Sequence, residues 1–130
     1  MDCGDAIRLR TTFSHAVEQV RAALGEQGVR VVAEVDVGAT VRDRFGKQME
    51  DFLVLGACSP VLATRVLERD RRDGFLLPCN IVVRADGDDV LVEAVDPELL
   101  VTVTGRPELW AVPDEARRRV SAALRSVSGR

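Results

Sequence analysis

The chain has 130 residues, enough for one hydrophobic core and too few for two well-packed domains. Its composition, 46% hydrophobic and 30% charged, is that of a folded globular protein. The net charge of −3, the 4% aromatic content and the lack of Tyr argue against a dedicated nucleic-acid-binding surface. Such surfaces need cations for the phosphates and rings for the bases. We therefore expect no nucleic-acid partner.

The location of the protein is predicted from segments that the sequence lacks. No apolar run reaches the length of a membrane span, and the first ten residues lack the basic and then apolar pattern of a signal peptide. We expect one domain over residues 1–130, ordered from about 7 to 127, in the cytoplasm and without a membrane partner. Cytoplasmic thiols stay reduced, and the odd count of three cysteines fits that location.

The first half of the chain alternates strand and helix patterns. Thr12 or Ser14 is a suitable N-cap for the first helix, and Gly28 a suitable stop. The third strand is apolar on both faces, which predicts a central position in the sheet. The expected elements are a strand at 7–11, a helix from Phe13 towards Gly28, a strand at 29–36 with Val29, Val31, Ala33 and Val35 on one face, a connection at 38–50 with one helical turn around 41–45, and a strand at 51–58.

The second half begins with a strong helix signal. Ser59 supplies a capping hydroxyl and Pro60 the first helical position, and the helix is expected to run to about Asp70. Residues 79–97 read as two strands joined by an Asp86-Gly87 turn, and residues 112–127 as a last amphipathic helix. This order predicts an α+β fold with a largely antiparallel sheet and helices packed on one face. The opposite, uncovered face would favour a homodimer.

Several ordered motifs resemble one known family. DFLVLGACSPVLATRVLERD, then GFLLPCNIVV, a DG turn and VEAVDPELL are similar to the prokaryotic domain-of-unknown-function family numbered three hundred and two. The resemblance covers about Phe13 to Val127. It implies a compact TATA-binding-protein-like domain with a β-α-β(4)-α layout, here with an extra helix after the third strand, that often associates as dimers. It implies no settled activity and leaves any cofactor unknown.

The candidate site lies around two cysteines that end apolar runs next to turn-forming residues. Cys58 precedes the capped start of a helix, where the dipole and free N–H groups favour a thiolate, and Gly56 would let a ligand approach. Cys79 follows Pro78 at the start of a strand. We therefore predict a ligand-binding corner formed by Cys58, Ser59, Cys79 and Gly56, with a small molecule or an anion as the ligand.

Other interpretations of the cysteines stay open. Cys58 shares its strand parity with Phe52 and Val54, and Cys79 shares its parity with Ile81 and Val83, so both could be packed core residues. The spacing lacks a C-x-x-C motif, so we predict no metal ligands, although two thiolates could hold a soft ion such as Cu(I). A disulfide would require a close approach of the two Cα atoms.

The remaining residue patterns do not predict catalysis. His15 is the single histidine and is interpreted as a surface residue, and a hydrolase triad has no visible parts. We interpret the three acids at the hairpin turn as a solvated surface, and likewise the three consecutive arginines of the last helix. The lone tryptophan is interpreted as a cap over the sheet edge. These residues are Asp86, Asp88, Asp89, Arg117, Arg118, Arg119 and Trp110.

Two functions therefore remain. A purely structural module with neither function is the third alternative. The first is non-enzymatic binding of a small ligand, an anion or a soft metal near Cys58 and Cys79, as a homodimer. The second is a thiol-dependent catalyst or redox protein with Cys58 as its nucleophile, which needs a nearby acid or base. Glu34, Asp36 and Asp96 are the weak candidates for that role. We favour binding and predict no catalytic residues.

Overall fold

Five strands form one antiparallel sheet in the order β1-β5-β4-β3-β2. The structure, a computed structural model, describes residues 6–69, 71, 79–94 and 111–128, with the side chains of the last helix described from residue 115. The strands are β1 (Ala6–Leu9), β2 (Arg30–Asp36), β3 (Phe52–Cys58), β4 (Cys79–Asp86) and β5 (Asp89–Ala94). The helices within these residues are α1 (Phe13–Glu26), α2 (Val37–Phe45), α3 (Pro60–Arg69) and α4 (Ala111–Ser128). The predicted α+β class and antiparallel sheet are confirmed.

The core lies between one face of the sheet and the helices α1 and α4. Alternate residues of the strands point into it, such as Leu55, Ile81 and Val92, and the helices add Leu24 and Leu124. Each of these side chains is at most 1% exposed. Burial of a side chain of this size stabilises a fold by about 1.5–3 kcal/mol. The same alternation sends the other half of the strand residues to the opposite face, which we call the open face.

Local chemistry explains most of the element ends. Thr12 caps α1 by accepting a hydrogen bond from His15 N at 3.2 Å, as the sequence predicted. The hairpin between β4 and β5 turns at Gly87 and Asp88, because Asp86 and Asp89 are the last paired residues. Gly87 has a φ of +62°, which glycine adopts without steric cost. The predicted hairpin is therefore correct, with its turn one residue later.

Two expectations about the first half were wrong. The register of β2 against β3 shifts between Val31 and Ala33, so Val31 faces the core while Ala33 and Val35 belong to the open face. The stretch read as one helical turn is the nine-residue helix α2, because the Asp36 side chain caps it at Ala39 N. The expected central position of β3 is confirmed, because β3 pairs with β4 on one side and with the edge strand β2 on the other.

None of the helices in the described part of the chain is both long and apolar enough to cross a membrane.

Candidate functional site

The two cysteines lie at the same end of neighbouring strands and on opposite faces of the sheet. Cys79 is the ladder partner of Ala57, which is fully buried under the helices. Cys58 follows Ala57, so alternation turns its side chain to the open face. Neither cysteine is part of a disulfide, and both are half-buried. The structure thus brings the two residues to one end of the sheet but does not bring their side chains together.

On the open face, Cys58 has a cationic neighbour across the ladder. Arg30 of β2 is its cross-strand partner, and paired residues of an antiparallel ladder have side chains on the same face. Gly56 lies two residues earlier on that face, between Ala33 and Asn80 of the flanking strands. Two of the predicted site residues, Gly56 and Cys58, therefore share the open face, while Cys79 lies on the other face. Ser59 follows Cys58 in the chain, but its side chain turns towards the helices.

Ser59 begins α3 in the predicted way. Its carbonyl oxygen accepts a hydrogen bond from Ala63 N at 2.8 Å, and its hydroxyl accepts a longer one from Leu62 N at 3.5 Å. The residue is only 6% exposed, so its side chain lies inside the protein. A buried hydroxyl needs partners, because leaving it unpaired costs free energy.

A second partner of Ser59 comes from a distant helix. Arg119 of α4 donates from Nη1 to Ser59 Oγ at 3.5 Å and to the carbonyl oxygen of Gln27 at 3.4 Å. Its Nη2 donates to Glu115 Oε1 at 2.9 Å. Arg65 of α3 completes the cluster by an ion pair with Glu115 at 3.5 Å. This cluster joins α1, α3 and α4 directly behind Cys58.

Sequence reasoning missed this cluster. The interpretation of Arg119 as part of a solvated face was wrong, since its side chain is 31% exposed and reaches two other elements. The i,i+4 spacing of Glu115 and Arg119 was a visible signal for their ion pair. No sequence pattern could reveal the contact with Ser59, which is separated by 60 residues.

The carboxylates considered as acid or base candidates have other roles. Glu34 pairs with Arg21 of α1 at 3.0 Å, and Asp36 caps α2. Asp96, like Trp110 and Pro78, lies outside the described residues. Across the described residues there is no group of three or more His, Cys, Asp or Glu side chains that could hold a metal ion.

The open face divides into two halves of different chemistry. We call the residues Val35, Phe52, Val54 and Val82 the apolar half. Val35, Val54 and Val82 form one cross-strand row over β2, β3 and β4, and Phe52 lies beside Val54 on β3. Phe52, Val54 and Val82 are half-buried, while Val35, at the edge, is 56% exposed. The helix-covered face and this row make β3 apolar on both sides.

Beyond the apolar half and the Cys58 end, the open face carries the charged half, whose charged residues Arg8, Arg84, Asp86, Asp89 and Glu93 surround the half-buried Leu91. Arg8 contacts Asp86 at 2.9 Å and Asp89 at 3.1 Å, and Arg84 Nε contacts Glu93 at 2.8 Å. The hydrogen bond with Glu93 raises the pKa of Arg84 above its usual value, so this cation stays charged. The charges are thus mostly neutralised within the chain.

The comparisons with known proteins address the family and the fold. A family model described as "Domain of unknown function DUF302" matches residues 6–127. The crystal structure of an uncharacterized conserved DUF302 protein from Bacillus stearothermophilus is similar to this chain, with a TM-score of 0.85 and 22% sequence identity. The match covers 92% of this chain and 94% of that one. No curated protein matches the sequence significantly.

Proposed function

Since this chain belongs to the DUF302 family, whose description assigns no activity, we propose that it is a non-enzymatic binding domain that works as a homodimer. The observation that supports the dimer is the apolar half of the open face. It reaches the edge of the sheet, where the exposed fraction of Val35 is 56% and that of Val32, three residues earlier in the same strand, is 61%. A contiguous apolar surface at a sheet edge is typical of an interaction site.

A second copy of the chain is the partner that fits this surface. A two-fold axis alongside β3 would set the apolar half of one copy against that of the other, an isologous contact. The charged halves would then form the rim, which matches the apolar core and polar rim of protein interfaces. Arg8 and Arg84 are already paired with acids of their own chain, so two rims of this kind repel each other little.

The ligand contact belongs to the Cys58 end of the open face in this proposal. A small anion there would meet the guanidinium of Arg30, the thiol of Cys58 and the backbone N–H of Val61. Pro60 has no N–H, and those of Leu62 and Ala63 donate to Ser59. Cys79, on the helix-covered face, is not part of this contact. We expect the protein to work in the cytoplasm, where both thiols stay reduced.

This arrangement favours binding over thiol chemistry. A redox function of Cys58 would need a resolving thiol, and Cys79 points away from it on the opposite face. A catalytic function would need an acid or base beside Cys58, and the candidates Glu34 and Asp36 are engaged with Arg21 and the start of α2.

The test is the oligomeric state of three purified variants, measured by sedimentation equilibrium with circular dichroism as the check on folding. We expect the wild type to be a dimer at micromolar concentration. Val54→Arg and Val35→Arg should weaken dimerisation by at least about a hundredfold, because each would bury an unpaired charge. Val35 is already exposed in one chain, so its variant should keep the fold.

Val61→Arg is the matched control. Val61 lies on α3, outside the apolar half. Its exposed fraction is 57%, and that of Val35 is 56%. This variant should dimerise like the wild type. A monomeric wild type at about 100 µM, or a Val54→Arg variant that is folded and still dimeric, would overturn the proposed interface.

A further inference from the structure

A cavity at the start of α1 carries a set of groups that the dimer does not use. It has a volume of about 190 Å³ and lies between β1, the first turns of α1 and the end of α4. Its lining is Leu9, Arg10, Thr11, His15, Gln19 and Val127, which we call the α1 pocket. Gln27, at the far end of α1, contacts the Arg119 cluster, so this pocket and Cys58 lie at opposite ends of that helix.

The floor of the α1 pocket is apolar and its rim is polar. Leu9 and Val127 are 9% and 2% exposed and belong to the core cluster, so their positions are fixed by packing. Arg10, Thr11, His15 and Gln19 supply a guanidinium, a hydroxyl, an imidazole and an amide. None of the six lining residues is acidic, although the whole chain has a net charge of −3.

The rim groups are held in place by local structure. Thr11 Oγ1 and His15 Nδ1 are 2.8 Å apart, so Nε2 is the ring nitrogen left for a ligand. When the Thr11 hydroxyl donates to Nδ1, the proton of the neutral ring is on Nε2. Gln19 follows His15 by one helical turn and therefore lies on the same side of α1. The Arg10 side chain is 93% exposed, with Asp89 at 3.6 Å, so it can turn towards the pocket with little loss of contact.

We propose that the α1 pocket binds a short-chain carboxylate, with the carboxylate against Arg10 and His15 and the apolar tail on Leu9 and Val127. A cationic guanidinium and a ring N–H are strong donors to a carboxylate. The apolar floor favours a ligand with a tail of a few carbons over a compact, fully hydrated anion such as phosphate. The volume suits a ligand of that size.

The experiment is an NMR titration that follows the ring protons of His15, the only histidine in the chain. Butyrate, acetate and inorganic phosphate are each added to the full-length protein at constant ionic strength. We expect a saturable shift with butyrate, with a Kd on the order of 1 mM for so small a ligand. Acetate, which lacks two methylenes, should bind roughly fifteenfold more weakly if the tail of butyrate is fully buried.

The variants separate this pocket from weak binding elsewhere. Arg10→Ala should weaken butyrate binding about tenfold, and Gln19→Ala should weaken it by a smaller factor. Arg44→Ala, which removes an exposed arginine of α2, should leave the Kd unchanged. A shift that grows linearly without saturation, or an equal Kd in Arg10→Ala, would overturn the site. Saturation by phosphate at a lower concentration than butyrate would overturn the carboxylate assignment.

Discussion

Gly28 lies against the guanidinium of Arg119, so closely that a Cβ on Gly28 would be 2.9 Å from Arg119 Nη1. Gly28 also has a φ of +71°, in the left-handed region that side chains with a Cβ avoid. The end of α1 and the middle of α4 are thus in contact at a position where one further carbon atom would require the Arg119 guanidinium to move. This contact fixes the cluster behind Cys58.

Replacement of Gly28 should therefore destabilise the fold in two separable ways. Gly28→Ala should lower the free energy of unfolding by about 1–3 kcal/mol, from the left-handed φ and from the displaced arginine. In the Arg119→Ala background only the backbone cost remains, so the same substitution should cost less. Urea denaturation of the four proteins in this cycle measures the difference.

Gly25→Ala is the control for this cycle. Gly25 lies in α1, and a Cβ there would meet nothing within 4 Å. Alanine should leave the stability unchanged or raise it by about 0.4–1 kcal/mol, because it restricts the unfolded chain. An equal cost of Gly28→Ala with and without Arg119 would contradict the steric contact.

The Arg119 side chain should contribute to stability by joining three elements. Arg119→Ala removes the donors to Ser59, Gln27 and Glu115, and we expect a loss of about 1–2 kcal/mol, since the group is partly exposed. Arg125→Ala, at an exposed position near the end of the same helix, should change the stability by less than about 0.5 kcal/mol. Thermal and urea denaturation compare the two. Similar losses in both variants would mean that Arg119 is no more than a helix-surface charge.

The opposite orientations of Cys58 and Cys79 predict that the native protein does not form a disulfide between them. Side chains that leave a sheet in opposite directions do not meet the geometry of the bond. After diamide treatment of the native Cys3→Ser variant, peptide mass spectrometry should find neither cysteine linked to the other within one chain. The same treatment in urea should link them, which shows that the reagent is competent. A native link would contradict the assigned faces.

Sequence patterns predicted the elements that depend on local chemistry. The capped helix start at Ser59, the hairpin at Gly87 and the parities of Cys58 and Cys79 follow from nearest neighbours and from the period of a strand. The sequence did not show which parity faces the core and which faces outward, because β3 is apolar on both sides. The structure identifies the core face, because Ile81 is fully buried while Val54 is only half-buried. That difference depends on which face the helices cover.

Contacts across long stretches of chain could not be predicted. Arg119 reaches Ser59 and Gln27 through the packing of α4 against two other helices, which no local pattern encodes. The length of α2 depended on a single capping contact of Asp36. The α1 pocket similarly required the end of α4 to lie beside the start of α1, so His15 read as an ordinary surface residue in the sequence alone.

The bulge in β2 determines which residues at the end of this strand lie on the open face. Because the register shifts between Val31 and Ala33, one additional residue turns Val35 outward without any change in its chemistry. A regular strand of the same residues would exchange the two faces after Val31, so that Val35 would point inward and Glu34 outward. Deletion of the extra residue, Val32, would instead restore regular pairing and leave Val35 on the open face. In an edge strand, the conformation of one residue therefore decides which apolar side chains enter the core and which lie on the surface.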